Sequence, residues 1–253
     1  MLFKKPYSGF FTTLGGYSDL YVKEKKWAKI LDFFGLYILT NGYYPFRYRG
    51  IFENKLLLGF FESDKYFIHI RDQLKKEFQV KDFGNNPTLV LLASEISSIN
   101  SICVGVRKGD FISKGNRLYC DICTPDYYLA GINCTLQRME EKDSAISEHK
   151  IYVFSDDVKW VQDNVRFSEE VCYVTSSVNG EIKPWEMLQL MTYFQYYVIS
   201  NSTFFWWGQF LSNSSARIVV APSVWRSGNQ EVYKEIYEDS WILLTPDTGE
   251  HIC

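Results

Sequence analysis

From residue 98 onward, short β-rich runs alternate with stretches of helical character, and this alternation restricts the chain more than any other feature of it. A strand, a crossover helix and a second strand return the chain to the same direction, which makes the strands parallel and puts helices on the faces of the sheet. The spacing predicts strands over 101–106, 150–154, 171–174, 197–200 and 217–221, separated by helices over 126–139, 156–163, 184–194 and 203–211. Five strands with four crossovers complete a doubly wound α/β unit. Local chemistry supports the helix starts: Asp156 and Asp157 suit an amino terminus, and Pro184 suits a first turn. Before residue 98 the pattern is less regular, with 24–34 helical, 35–50 turn-rich and aromatic, and 64–78 a charged amphipathic helix. The natural boundary falls near Asn100, giving domains over 1–98 and 99–253.

Composition removes several classes. A chain of 253 residues, 46% hydrophobic and 23% charged, can bury a substantial core, which argues against disorder and low complexity. The net charge of −3 lacks the positive field that non-specific nucleic-acid binding needs, so no nucleic-acid partner is expected. The amino terminus carries no apolar run of signal-peptide length, and a cytoplasmic location is expected. Residues 187–216 hold no charge, but Gln189, Gln195, Asn201, Gln209 and Asn213 interrupt them. They read as a buried strand between helices rather than a membrane span, with peripheral attachment through exposed aromatics left open. Six cysteines are too sparse for a disulfide scaffold, and Cys120-Asp-Ile-Cys123 lacks a second ligand pair at zinc spacing, so no metal site is expected.

Three predicted strand ends carry candidate chemistry. Val106-Arg107-Lys108-Gly109-Asp110-Phe111 follows the first strand directly, placing a cationic pair and a glycine turn where open α/β sheets bind ligands. A guanidinium there can hold two phosphate oxygens through paired donors and Lys108 adds a point charge, a combination suited to a diphosphate. The alternative is Arg107 paired with Asp110 across the loop. Phe154-Ser155-Asp156-Asp157 ends the second strand with two carboxylates that can take ribose hydroxyls or a divalent ion, although capping the next helix is the default. Asn201-Ser202-Thr203 ends the fourth strand and opens a helix, offering hydroxyls and backbone N–H groups to an anion. The Phe205-Trp206-Trp207 run after it reads as core before sugar platform. Together these ends outline a nucleotide-diphosphate pocket. Neither a Gly-x-Gly-x-x-Gly nor a Walker-type loop is present, and no Gly-x-Ser-x-Gly, which weighs against dehydrogenase, kinase and hydrolase readings.

The motifs resemble those of the α-1,2-fucosyltransferases of glycosyltransferase family eleven. That family carries a His-x-Arg-Arg-Gly-Asp-Tyr loop, a Ser-Asp-Asp strand end and an Asn-Ser-Thr-Phe-Ser-Trp-Trp segment; here they stand, in the same order, as residues 105–111, 155–157 and 201–207. Gly59-Phe-Phe-Glu-Ser-Asp-Lys-Tyr-Phe67, Leu190-Met191, Val220-Ala-Pro222 with Trp225, and Ser240-Trp-Ile242 extend the similarity. The resemblance implies a GT-B-like architecture of two Rossmann-like domains, the N-terminal one shortened and on the acceptor side, the C-terminal one binding GDP-fucose. It implies inverting transfer of L-fucose to a galactose-type hydroxyl in α-1,2 linkage, for surface glycan or polysaccharide synthesis, with a glycan acceptor as partner and neither cofactor nor obligatory metal. Arg107 then meets the β-phosphate as the catalytic residue, and Lys108, Asp110, Asp156, Asp157, Asn201, Ser202 and Thr203 complete the donor pocket. Glu186 stands one position from the family's acidic residue before Leu-Met and is the candidate reader of the guanine edge. Glu53, Glu62, Asp64 and, more weakly, Asp110 are candidates for the base.

The departures are Gly105 for the family's His, Lys108 for its second Arg, Phe205 for its Ser, and no Gly-Gly-Leu-Gly-Asn-Gln opening. They set an alternative beside the enzyme: a catalytically impaired relative serving as a nucleotide-sugar-binding or partner module.

Overall fold

The computed structural model describes residues 30, 33–39, 43, 56–59, 61–109, 121–142, 148–175, 182–228 and 233–251. Contacts divide the chain into two compact units, one of 1–69 with 231–237 and the other of 70–230 with 238–253.

In the first unit, β1 (Leu36–Leu39) and β2 (Leu56–Gly59) pair in parallel with Leu36 opposite Leu56. Aromatic packing supplies its core. Tyr37 and Tyr66 are buried with their hydroxyls 3.3 Å apart, Phe61 stacks on Tyr37, and Tyr43 meets Tyr66 edge-on. Lys65 pairs with Glu235. The helix expected over 64–78 is broken. A 3₁₀ turn, Asp64–Tyr66, is capped by Ser63, whose hydroxyl accepts from the Lys65 N–H; a second covers Ile68–Ile70, and α1 is Arg71–Glu77. The break is at Phe67, whose backbone (φ −142°, ψ 6°) leaves the helical region. Of the helix expected over 24–34, all but Ile30, Phe33 and Phe34 lies outside the described residues.

The second unit holds a six-stranded, all-parallel sheet. Its strands are β3 (Asn100–Val106), β4 (His149–Ser155), β5 (Val171–Val174), β6 (Tyr196–Ile199), β7 (Ile218–Pro222) and β8 (Ile242–Leu244), in spatial order β5-β4-β3-β6-β7-β8. The five expected strands form within one or two residues of their predicted positions. The sixth, β8, was not expected; its three residues are too few to show a period, and it becomes a strand by pairing with Val220–Pro222 at the sheet edge.

Helices cover both faces, because side chains alternate along each strand. On one face Ile102, Val104, Val106, Ile151, Val153, Val198 and Val220 pack against α3 (Pro125–Lys142) and α4 (Val158–Asn164) through Tyr127, Tyr128, Ile132, Met139 and Val161. Gly131 of α3 lies so close to the sheet that a Cβ there would meet Val198 Cγ1 at 2.6 Å. The other face is covered by α2 (Pro87–Ser98), α5 (Pro184–Met191) and α6 (Thr203–Phe210).

The helix α2, unforeseen from sequence, starts with Asn86 accepting from the Thr88 and Leu89 N–H groups and buries Leu89, Leu92, Ala93 and Ile96 at helical spacing. Its Glu95 accepts from Lys150 and from the Tyr152 hydroxyl at 2.6 and 2.8 Å. Residues 70–98 therefore belong with the sheet, and the compact division falls before α1, whereas the expected domains 1–98 and 99–253 part after α2. Among the described residues no helix is long and apolar enough to cross a membrane.

Candidate functional site

The strand order reverses direction between β3 and β6, which is the switch point where open parallel sheets leave a crevice at their carboxyl ends. The register fixes what lines it. Gly105 of β3 lies opposite Ile199 of β6, Val106 lies opposite Ser155 of β4, and the Ser200 N–H donates to the Gly105 carbonyl at 2.9 Å. Arg107 and Lys108, Asp156 and Asp157, and Asn201 to Thr203 thus leave three adjacent strands at one edge.

Each residue then has a particular environment. Arg107, with 28% of its side chain exposed, pairs through Nε with Asp156 Oδ2 at 3.3 Å. The Lys108 N–H donates to Asp156 Oδ1 at 2.9 Å. Lys108 is 5% exposed: its ammonium lies 3.1 Å from Asp121 Oδ1 and 4.3 Å from the centre of the Trp160 ring. The cation expected to add a point charge for ligand is tied into the protein. Asp157 caps α4, accepting from the Trp160 N–H at 2.9 Å. The two neighbouring carboxylates therefore face different partners: Asp156 reaches across to β3 and Asp157 holds the helix that follows. Asp110 and Glu53 lie outside the described residues.

At the third strand end, Asn201 and Ser202 are buried and Thr203 is exposed. Asn201 donates to the Trp225 carbonyl at 3.1 Å and so ties the end of β6 to the segment after β7. Ser202 is the N-cap residue of α6, its side chain making no capping bond, and the first N–H groups of a helix have no partners within it. Glu186, in the first turn of α5, accepts from the Lys183 N–H at 2.7 Å and so helps close the start of its own helix. Glu62 and Asp64 belong to the first unit.

Sequence reasoning missed the supports underneath. The Tyr127 hydroxyl donates to the Ile199 carbonyl at 2.6 Å and ties α3 to the end of β6. Tyr128, Cys123 and Ser200 are all buried beside it; burial pushes the Cys123 thiol up to about 12 and the Tyr128 phenol well above its usual range, so both are uncharged at neutral pH. Trp160 and Asp121 hold Lys108, and Asp121 does so from the left-handed region, at φ 50°. No sequence signal marks these contacts, because each joins residues distant in the chain. The Phe205 ring fills the space above Gly105, where a Cβ would come within 2.5 Å of it, and Trp206 stacks on Phe210, so Phe205 and Trp206 are core as expected, while Trp207 is only partly buried. Among the described residues no three His, Cys, Asp or Glu side chains gather as metal ligands.

The sequence profile of Glycosyl transferase family 11 matches residues 40–245. The chain belongs to that family. Among curated relatives, an α-1,2-colitosyltransferase from Escherichia coli is 30% identical over 66% of this chain and 55% of its own length. An O-antigen biosynthesis glycosyltransferase, WbnK, from the same species is 28% identical over 88% of this chain and 68% of its own length. The chain thus spans about half the length of the first of these and two thirds of the second. No solved structure matches it. The three strand ends all lie within the span that the family profile matches.

Proposed function

We propose that this family 11 glycosyltransferase moves L-fucose from GDP-fucose to a galactose-type hydroxyl in α-1,2 linkage with inversion, using the six-stranded unit as the donor-binding half of a GT-B pair. The observation that carries the reading is the β3–β6 register, which brings the Arg107 loop beside the start of α6 at the switch point. In the reaction the acceptor oxygen attacks the anomeric carbon from the face opposite the diphosphate. The bond from that carbon to the β-phosphate oxygen breaks, its electron pair leaves with GDP, and the acceptor proton passes to a base. Charge develops on the departing diphosphate, where a guanidinium and the free N–H groups of a helix start stabilise it without metal chemistry. Glu186, in the first turn of α5, is the proposed reader of the guanine edge.

A second donor is favoured by one relative: the colitosyltransferase matches this chain over two thirds of it, so a colitosyl donor is the second reading. Incubation of the chain with GDP-fucose, GDP-colitose, GDP-mannose and UDP-galactose, each with a galactoside acceptor, tests both. Turnover with GDP-fucose alone supports the first reading, preference for GDP-colitose the second. GDP binding without turnover on any donor identifies the impaired binding module, and a UDP-sugar preference keeps the diphosphate role of Arg107 but overturns the GDP-linked donor and the guanine-reading role of Glu186.

A further inference from the structure

We propose that Asp156 is a positioning residue, which sets the geometry of Arg107 for the donor diphosphate and does not itself hold ribose or a cation. The inference rests on the reading that Arg107 meets the diphosphate.

Asp156 is the first residue beyond β4, and its carboxylate is directed back at the tip of β3. The β3–β4 ladder closes with Val106 opposite Ser155. One residue further on, the Asp156 side chain continues the link between the two strands. Its Oδ1 accepts the Lys108 N–H at 2.9 Å, and its Oδ2 lies 3.3 Å from Arg107 Nε. The loop runs close over this carboxylate, and a Cβ added at Gly109 would sit 3.4 Å from both the Asp156 carbonyl and Oδ2. The other side of the loop is fixed by Lys108, whose buried ammonium is held by Asp121 and the Trp160 ring. Residue 108 is therefore gripped at both backbone and side chain, and residue 107 at its guanidinium. The helix start after Asp157 carries Trp160, so one short segment, 156–160, holds the residue 108 backbone and, together with Asp121, its side chain.

The chemical consequence concerns freedom of motion. An arginine side chain loses a large part of its rotamer entropy on being ordered, and a group ordered before the ligand arrives spares the ligand that cost. A carboxylate 3.3 Å from Nε also restricts rotation of the guanidinium, and bidentate phosphate recognition depends on that orientation. Asp156 and Arg107 should therefore act as one unit.

The test is a double-mutant cycle on the full chain, with the GDP dissociation constant from calorimetry as the readout, the donor kcat and KM beside it, and Tm as the control for folding. Arg107→Ala is expected to weaken GDP at least thirtyfold. Asp156→Ala is expected to weaken it about tenfold in the presence of Arg107, and to produce no further weakening in the Arg107→Ala background. Asp156→Asn, which keeps an acceptor for the Lys108 N–H while removing the charge facing Arg107, serves the same cycle if the alanine variant does not fold. Weakening that persists undiminished without Arg107 means that Asp156 touches the nucleotide itself and overturns the inference, as does an Asp156 variant that binds GDP like the parent. Full GDP binding by Arg107→Ala is a separate failure, since it removes the reading of the site on which the positioning role depends.

Discussion

Two arginine–carboxylate pairs occupy opposite edges of the sheet unit, and only one has the features of a site. At the carboxyl edge, Arg107 and Asp156 keep 28% and 20% of their side-chain surface exposed, and β6, the strand next to β3, leads into α6, whose N-cap side chain makes no capping bond. Near the amino ends of β7 and β8, Arg217 pairs with Glu238, the two only 12% and 10% exposed. Gln209 completes that cluster, accepting from Arg217 Nε at 2.8 Å and donating to Glu238 Oε1 at 2.9 Å. Arg71 joins the same edge by donating to the carbonyls of Phe210 and Ser212, stacked over the Phe210 ring, and burial lowers its pKa. The charged groups are of the same kind in both places. What differs is exposure and position: the first pair stays partly open to solvent at the carboxyl edge, and the second is a buried bolt between α1, α6 and the sheet.

The comparison can be broken at either end. The largest effect is expected from Arg217→Ala, which leaves Glu238 buried without its partner and should cost about 3–5 kcal/mol in urea unfolding; a loss below about 1 kcal/mol would show that this pair is as solvated as the other. Arg107→Ala should instead lower transfer by about 10²–10³ in kcat/KM with Tm within a few degrees of the parent. Unchanged turnover in that variant would remove the distinction drawn between the two edges. Between the paired carboxylates, Asp157→Ala deletes the α4 cap and is expected to cost about 1 kcal/mol of stability, read by thermal unfolding. The smallest effect is pH-dependent. The hydrogen bonds from Lys150 and Tyr152 hold the Glu95 carboxyl below its usual range, so its contribution is complete above the ordinary Glu value of about 4.3 and fades as pH falls below it. The Tm difference between the parent and Glu95→Gln should shrink from about pH 6 to about pH 3; a constant difference would show that Glu95 does not titrate through this contact.

The parts of this fold that were legible in the sequence are those with repeated local signals. The runs around Val104, Val153 and Val198 are fully buried strands of a parallel sheet, and such strands read as continuous apolar stretches whatever their neighbours. Asp157 and Pro184 announced helix starts because capping is decided within a few residues. The breaks came where tertiary contact outweighed pattern. α2 carries a clear apolar face but lies just before the supposed boundary at Asn100, and the 64–78 segment holds a helical pattern that its backbone interrupts at Phe67.

By itself the sequence determined the parallel α/β class, the order of strands and helices from 98 onward, and which residue types stand at the strand ends, because hydrophobic period and capping chemistry act over a few residues. Only the tertiary structure decided that Lys108 is shut between Asp121 and Trp160, that Asp156 turns to Arg107 while Asp157 turns to α4, and that β3 and β6 lie side by side at the switch point. Those outcomes depend on strand pairing between segments some 50 to 100 residues apart, and a side chain's partner across such a distance is set by sheet order and register, which no local pattern encodes.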